Sequence, residues 1–265
     1  MQWLRSLCFA WLPVGLHGTA EYPAADQPGY WDQVYKLQGE HGRSIYEWYG
    51  LGYQHVREPL LELLGDQPSS DEGVRRRLLV LGSGDSGLSA ELASDKVFQR
   101  QNWQVVSIDF SAEVTERMRL RFPGLTFITM DARNMSAFSD GSITAAVDKG
   151  LSDCLGTMAA RRQYFQEVRR VLVRGGRLLV VSQRRLRAGQ APPDGTDDEE
   201  AEPHQQHDQA GDLGPGWSCT QQEVMGPLFM ESHPTLPPFP QPGTEASIPY
   251  FMLSCSASAE FGQAH

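Results

Sequence analysis

The sequence has few cysteines, and none of them forms a metal-binding pattern. The four cysteines are widely separated, and no two have the Cys-x-x-Cys spacing of a zinc or redox site. Four cysteines in 265 residues are also too few for the disulfide framework of a secreted protein. We therefore predict free thiols in a reducing compartment and no metal site.

Basic residues are scarce relative to acidic ones. The chain has 23 Lys and Arg against 33 Asp and Glu, a net charge of −10. A protein that binds nucleic acid usually has more basic than acidic residues, so the composition argues against nucleic-acid binding. Eight of the acidic residues lie within residues 194–212, which contain no Lys or Arg. Because the segment 184–215 has almost no large apolar side chain, we predict a disordered acidic insertion there.

Long apolar runs are also missing from the first part of the chain. The apolar stretch at residues 7–16 is too short to span a membrane and contains Pro13 and Gly15. Residues 1–20 have one basic residue, Arg5, and no acidic residue. This composition fits a secretory signal, an organelle presequence or a disordered start. We predict no membrane span.

A glycine-rich turn after an apolar stretch dominates the part of the sequence that carries chemistry. Residues 78–89 read Leu-Leu-Val-Leu-Gly-Ser-Gly-Asp-Ser-Gly-Leu-Ser, which predicts a buried strand, a turn and the start of a helix. Gly82 and Gly84 let the backbone turn sharply and approach a ligand, and the helix start offers free N–H groups. The motif alone also fits a tight turn that binds no ligand.

Strands and helices alternate from residue 76 onward. Strands are predicted at 78–81, 104–108, 125–129, 143–147 and 177–182, and helices at 88–97, 111–122 and 159–173. The last two strands, 217–223 and 248–254, have no helix between them, which indicates an antiparallel hairpin. We predict an α/β fold: a Rossmann-like, seven-stranded, mostly parallel sheet with helices on both faces and an antiparallel terminal hairpin.

Acidic residues follow several of the predicted strands. Asp109, Asp131 and Asp148 each stand at a strand's carboxyl end, where open α/β sheets bind ligands. Asp109 lies about 25 residues beyond the glycines, a spacing that suits a carboxylate on ribose hydroxyls. A nicotinamide dinucleotide is one candidate ligand. Asp131, within reach of an adenine amino group, and the closing hairpin favour S-adenosylmethionine instead.

These motifs resemble those of the class I (seven-stranded) methyltransferases, over roughly residues 30–183 and the final hairpin. The matching runs are Val80-Leu81-Gly82-Ser83-Gly84, Ile108-Asp109, Met130-Asp131-Ala132 and Val171-Leu172-Val173-Arg174-Gly175-Gly176. A second set resembles the protein-lysine methyltransferases that modify citrate synthase or elongation factor 1-alpha: Tyr30-Trp31-Asp32, Trp48-Tyr49 and Asp148-Lys149-Gly150. A third set is more similar to the mitochondrial citrate synthase-lysine group: Gly216-Trp217-Ser218, Gln222-Glu223-Val224 and Pro249-Tyr250-Phe251.

The resemblance implies S-adenosyl-L-methionine as cofactor and a specific set of site residues. The predicted cofactor contacts are Trp31, Tyr35, Trp48, Gly82, Gly84, Asp109, Phe110, Asp131, Ala132 and Lys149. Aromatic faces suit a sulfonium cation. Asp148 and Asp153 are the candidates for orienting the acceptor amine. The chain departs from the family pattern at Leu151-Ser152, at Glu47 in place of Asp, and at Arg174 in place of proline.

The resemblance also implies an organisation and an activity. The predicted parts are a mitochondrial presequence (1–22), the methyltransferase core (23–183), the acidic insertion (184–215), the closing hairpin with a Pro-rich loop (216–256) and a tail (257–265). The expected activity is methylation of a lysine of citrate synthase in the mitochondrial matrix. The alternative location is the cytoplasm. The alternative functions are methylation of elongation factor 1-alpha or another acceptor, and a binding role without catalytic activity.

Overall fold

The computed structural model describes residues 25–40, 45–65, 76–186, 212–227 and 247–257. Its strands are β1 (Arg76–Leu81), β2 (Trp103–Asp109), β3 (Thr126–Thr129), β4 (Ile143–Lys149), β5 (Leu172–Ser182), β6 (Trp217–Pro227) and β7 (Ser247–Ala257). Its helices are α1 (Pro28–Glu40), α2 (Tyr53–Leu64), α3 (Leu88–Ser94), α4 (Lys96–Arg100), α5 (Ala112–Arg121), α6 (Leu151–Cys154) and α7 (Met158–Val171), with a 3₁₀ turn at Trp48–Gly50.

The seven strands form one mixed sheet in the order β3-β2-β1-β4-β5-β7-β6. Strands β1 to β5 are parallel, β7 is antiparallel to β5, and β6 is antiparallel to β7. The predicted fold class is therefore confirmed. Leu81 of β1 pairs with Ile108 on one side and Asp148 on the other. The residues that follow the parallel strands consequently meet at one edge of the sheet.

The central strand β1 is buried on both faces. Leu79 packs on one face with Phe165 of α7, whereas Val80 packs on the other with Leu60 of α2. Successive side chains of a strand point to opposite faces. A strand covered by helices on both sides therefore requires the continuous apolar run that the sequence shows at this position.

Helix α1 packs on α5, and its Trp31 and Tyr35 side chains line the same cavity as Asp109 at the end of β2. The Asp32 carboxylate accepts a hydrogen bond from the Ser111 hydroxyl at 2.6 Å and from the Glu113 amide at 3.3 Å. Ser111 is itself the N-cap of α5. The contact places Trp31 and Tyr35, which share one face of α1, in a buried aromatic cluster.

Three element boundaries differ from the sequence prediction. The helix predicted at 88–97 is divided into α3 and α4, because the Asp95 side chain accepts a hydrogen bond from the Val97 amide at 2.6 Å and starts a new helix. Helix α7 ends at Val171, and β5 begins at Leu172 with an irregular pairing to β4. The closing strands are longer than predicted, at eleven residues each.

The closing hairpin contains a disulfide that the sequence analysis did not predict. Cys219 of β6 and Cys255 of β7 are register partners and are bonded, with their Cα atoms 4.1 Å apart. The prediction of free thiols is therefore wrong for these two residues. Sequence spacing could not reveal the pairing, because it depends on the register between two strands. Cys154 is a thiol rather than part of a disulfide, as predicted.

Several predicted segments lie largely outside the described residues: the presequence 1–22, the Pro-rich loop, residues 258–265 of the tail, and residues 187–211 of the acidic insertion. The described ends of that insertion pack against the core. Leu186 and Leu213 are buried, and Asp212 forms an ion pair with Arg161 at 3.1 Å. Within the described ranges, no helix is long and apolar enough to span a membrane.

Candidate active site

A cavity of about 1140 Å³, including the part open to solvent, lies at the carboxyl edge of the parallel strands. Residues after β1 to β5 form its floor, and α1 and the segment around the 3₁₀ turn form a wall. Every predicted cofactor contact except Gly84 lines it: Trp31, Tyr35, Trp48, Gly82, Asp109, Phe110, Asp131, Ala132 and Lys149. The two predicted catalytic residues, Asp148 and Asp153, do not.

The glycine turn has a backbone that other residues adopt poorly. Gly82 and Gly84 have φ angles of 58° and 52°, in the left-handed region. A Cβ on Gly82 would lie 2.9 Å from the Leu151 Cβ, and one on Gly84 would lie 2.8 Å from the Tyr35 hydroxyl. Both positions therefore need glycine for conformation and for space, and the turn brings bare backbone to the cavity.

Asp109 is held in place by the backbone around it. Its carboxylate accepts hydrogen bonds from the Gly84 and Ser111 amides, each at 2.9 Å. Burial raises the pKa of Asp109 to about 6, although these amide donors oppose the shift. A ribose diol at this position would add hydroxyl donors to the ionised carboxylate. The geometry suits the predicted ribose contact.

Asp131 lies at the β3 end of the cavity and pairs with Arg133, which the sequence analysis did not single out. The Arg133 side chain donates to both carboxylate oxygens of Asp131, at distances of 2.7 to 3.0 Å. Burial raises the pKa of Asp131, but the hydrogen bonds from Arg133 outweigh it and lower that pKa overall. The neighbouring Ala132 and Phe110 add apolar surface, so this end suits a flat heterocycle with polar edges.

Aromatic rings from two segments line the wall of the cavity beside the glycine turn. The ring centroid of Trp31 lies 5.8 Å from that of Tyr35 and 5.5 Å from that of Trp48. Tyr46, another residue that was not predicted, meets Trp48 edge to face at 5.1 Å. The Trp31 indole donates to the Ala25 carbonyl at 2.6 Å, which fixes its orientation. This wall can stabilise a cation by contact with ring faces.

Lys149 forms an ion pair with Glu47, 102 residues away in the sequence. The Lys149 ammonium donates to the Glu47 carboxylate at 2.8 Å. Glu47 also accepts from the Ser86 hydroxyl at 2.7 Å and from the Gly87 amide at 2.8 Å. Burial lowers the pKa of Lys149, while Glu47 opposes that shift. The substitution of Glu for the family's Asp therefore keeps a carboxylate that joins the 3₁₀-turn segment to β4 and the glycine turn.

Asp148 and Asp153 lie behind the cavity wall and hold the backbone around it. Asp148 accepts from the Leu151 and Ser152 amides and from the Tyr164 hydroxyl at 2.7, 3.1 and 2.9 Å. Burial raises its pKa to about 7. Asp153 accepts from the hydroxyls of Tyr49 and Ser182, both at 2.5 Å. These contacts favour a positioning role for both residues, and their predicted role in catalysis stays a prediction.

Tyr49, Gln183 and Tyr250 line the end of the cavity near β5 and β7, and none of them was predicted as a site residue. The rings of Tyr49 and Tyr250 lie 5.2 Å apart, and the Tyr250 hydroxyl donates to the Tyr49 carbonyl at 3.3 Å. Tyr49 has a φ of 65°, which is unusual for a bulky residue and is a recurrent feature of functional sites. The Trp48-Tyr49 motif was the available signal for Tyr49.

The donor set of the site fits an organic cofactor. Within the described ranges, no three His, Cys, Asp or Glu residues are grouped to bind a metal. The bare glycine backbone, the buried Asp109 and the aromatic wall together match a ligand with a ribose and a cationic centre.

Comparison with known proteins gives the class of this domain. Residues 79–180 match the methyltransferase domain family. A solved structure from work on the conversion of a disulfide bond into a thioacetal group during echinomycin biosynthesis shares the fold, with a TM-score of 0.54 at 13% identity over 88% of this chain and 94% of that one. Residues 79–180 therefore match a methyltransferase domain in sequence, and the whole sheet has the fold of that class. The cofactor that this domain implies is S-adenosyl-L-methionine.

The curated relatives narrow the comparison within that class. The chain is 34% identical to the eEF1A lysine and N-terminal methyltransferase of Xenopus laevis, over 58% of this chain and 21% of that protein. It is also 34% identical to EEF1A lysine methyltransferase 4 of Bos taurus, over 57% of this chain and 58% of that protein. The chain thus spans less than two thirds of the length of either relative. The domain is related to eEF1A lysine methyltransferases at about one third identity.

Proposed function

We propose that this protein is an S-adenosylmethionine-dependent protein-lysine N-methyltransferase. The observation that carries the proposal is the cavity that extends from Asp131 past the glycine turn to Tyr49 and Tyr250. It has separate regions for a nucleoside and for a second reactant. The relatives named for eEF1A lysine methylation support lysine as the acceptor.

The order of the strands in the sheet separates the two ends of the cavity. Asp131, Asp109 and Gly82 follow β3, β2 and β1, whereas Gln183 follows β5 and Tyr250 lies on β7. With adenine at Asp131 and ribose at Asp109, the remaining part of the cofactor would lie beside the glycine turn. The end near Gln183 and Tyr250 is then left for the acceptor.

The side chains at the acceptor end suit an amine that must be neutral to react. When bound, the cofactor supplies an activated methyl group on sulfur. A lysine has an ordinary pKa near 10.4, so removing its proton near pH 7 costs about 4 to 5 kcal/mol. Burial of the amine between Tyr49 and Tyr250 would remove it from water, and desolvation favours the neutral form. Because the Tyr49 hydroxyl donates to Asp153, its oxygen can accept a hydrogen bond from the amine.

The acceptor protein is tested by direct comparison. Purified eEF1A and citrate synthase are incubated separately with the enzyme and methyl-labelled cofactor, and modified lysines are mapped by mass spectrometry. The relatives favour eEF1A, whereas citrate synthase rests on the sequence resemblance alone. We expect label on a lysine of eEF1A. Label on citrate synthase would keep the lysine chemistry and change the substrate.

Two variants control this experiment. Asp109→Ala should abolish labelling, because it removes the carboxylate at the ribose position. Glu116→Ala changes an exposed carboxylate on α5 and should leave labelling intact. If the wild-type protein binds the cofactor but labels neither candidate nor any protein of a cell extract, the proposed activity is wrong and a non-catalytic binding role is favoured.

A mitochondrial location is a separate proposal, which rests on the resemblance to the mitochondrial citrate synthase-lysine group and on the composition of residues 1–22. Fluorescent fusions of the full chain and of a chain without these residues can be compared in cells. We expect a mitochondrial signal that is lost on deletion. The same cytoplasmic distribution for both fusions would contradict the proposal and would agree with the cytoplasmic alternative.

A further inference from the structure

Asp85, the residue directly after Gly84, has a buried carboxylate with no partner. Its exposed fraction is 0%. Neither carboxylate oxygen has a hydrogen-bond partner in the structure. Asp85 was not among the predicted site residues. A buried charge without a partner is costly, so such a group invites a ligand that neutralises it.

Arg117 and Lys149 attract Asp85 electrostatically, but neither donates a hydrogen bond to its carboxylate. Glu47 and Asp109 are acidic, and Tyr35 is uncharged near neutral pH. Lys149 is engaged by Glu47 at 2.8 Å. Arg117 donates to the Tyr35 carbonyl at 2.5 Å and to Glu113 at 3.1 Å. The site therefore has an excess of buried negative charge.

This excess lies beside the part of the cavity where the cofactor's amino-acid portion belongs. Asp85 does not itself line the cavity, but Tyr35 and Lys149, which do line it, interact electrostatically with Asp85. The amino-acid portion of S-adenosylmethionine carries a sulfonium and an ammonium, both positive at neutral pH, and one carboxylate, so its net charge is positive. The missing positive charge at Asp85 thus matches the chemistry of this cofactor.

We infer that Asp85 is the counterion of the cofactor's cationic portion and that cofactor binding displaces a proton from this carboxyl group. The inference rests on the cofactor of the proposed function and adds a residue and a proton to it. No covalent bond changes: the carboxyl O–H ionises, the proton passes to the buffer, and the carboxylate faces the bound cation.

The pH dependence has a definite sign. Burial raises the pKa of free Asp85 to about 6, and a bound cation lowers it again. Below pH 6 the carboxyl group is mostly protonated, and binding a cation must then release a proton. Affinity should accordingly increase as the pH rises from about 5 to 7 and level off above that.

Calorimetry on the full chain at pH 6, in two buffers of different ionisation enthalpy, measures the protons released on binding. The probes are S-adenosylmethionine and 5′-methylthioadenosine, which has the same nucleoside but no charged amino-acid portion. Asp109 also has a pKa raised to about 6. Since both ligands present a ribose to Asp109, its contribution is common to them. We expect S-adenosylmethionine to release about half a proton more than 5′-methylthioadenosine.

Variants assign the extra proton to Asp85. Asp85→Asn should remove it and weaken S-adenosylmethionine binding about tenfold, with little change for 5′-methylthioadenosine. Asp140→Asn, an exposed carboxylate remote from the cavity, should match the wild type.

The outcomes separate this inference from the proposed function. If the wild type binds S-adenosylmethionine with no more proton release than 5′-methylthioadenosine, Asp85 is not the counterion and the inference alone is overturned. The same conclusion follows if Asp85→Asn keeps the extra proton. If the wild type binds neither ligand, the cofactor assignment and the inference both fall. Should Asp85→Asn fail to fold, the absence of extra proton release from the wild type would still overturn the inference.

Discussion

The close approach of Gly82 to Leu151 gives the sharpest prediction about the site. An alanine at position 82 would keep a φ of 58° and place its Cβ 2.9 Å from the Leu151 Cβ and 3.1 Å from its Cδ1. The left-handed backbone costs a non-glycine residue about 1 to 2 kcal/mol. Displacing packed atoms costs about 1 to 3 kcal/mol more. We expect Gly82→Ala to lower the free energy of unfolding by about 2 to 5 kcal/mol.

The chain contains a matched control for this substitution. Gly65, after α2, has a φ of 63°, and a Cβ there would have no atom within 4 Å. Gly65→Ala should therefore show a backbone cost without a steric one; because its ψ of 168° is adopted almost only by glycine, that cost is about 1 to 3 kcal/mol. Urea denaturation gives both stabilities, and calorimetry gives the affinity for S-adenosylmethionine. Leu151 lines the cavity, so Gly82→Ala should also weaken cofactor binding, whereas Gly65→Ala should not. Equal stability and equal affinity of the two variants would refute the argument.

Two further predictions concern buried charges. Lys149→Met should lower the free energy of unfolding by about 2 kcal/mol in urea denaturation, below the 3 to 5 kcal/mol typical of a broken buried pair, because Glu47 keeps its Ser86 and Gly87 donors. A double-mutant cycle with Glu47→Gln checks it, and a coupling energy near zero would contradict the pairing. Burial raises the pKa of Asp148 to about 7 in the folded state, above the ordinary value of 3.8. Its contribution to stability is thus full below pH 4 and lost as the pH rises to about 7. The difference in unfolding free energy between the wild type and Asp148→Asn should change between about pH 4 and pH 7 and stay constant above pH 7. A difference that is the same at every pH would show that the pKa of Asp148 is not raised.

The features that the sequence predicted well are those encoded by residues next to one another. The apolar run of β1, the glycine turn and the acid after β2 each identify a strand end within a few residues. All parallel strands of a sheet have their carboxyl ends at one edge. Gly82, Asp109 and Asp131 therefore meet there once β1, β2 and β3 are neighbours in a parallel sheet. The fold class and the positions of the predicted cofactor contacts could therefore be obtained without coordinates.

The features that were missed depend on contacts between distant segments. Glu47 meets Lys149 across 102 residues, and Tyr49 meets Asp153 across 104. The bond between Cys219 and Cys255 depends on hairpin register. No local pattern records such pairings. The sequence also could not distinguish a carboxylate that faces the cavity from one that holds the backbone behind it.

The positions of the acidic residues divide the site into parts with different tasks. Asp148 and Asp153 accept hydrogen bonds from amides and hydroxyls, so they shape the wall at the acceptor end. Asp109 accepts hydrogen bonds from two backbone amides and can accept further hydrogen bonds from the hydroxyls of a ribose. Only Asp85, among the buried acids of the described site, has both oxygens unpartnered. The protein's own amides and hydroxyls satisfy the carboxylates of Asp109, Asp148 and Asp153. The carboxylate of Asp85 gains a partner when a cation binds. The affinity of this site for a cationic cofactor, rather than for a neutral nucleoside, therefore depends on the one acid that the fold leaves without a donor.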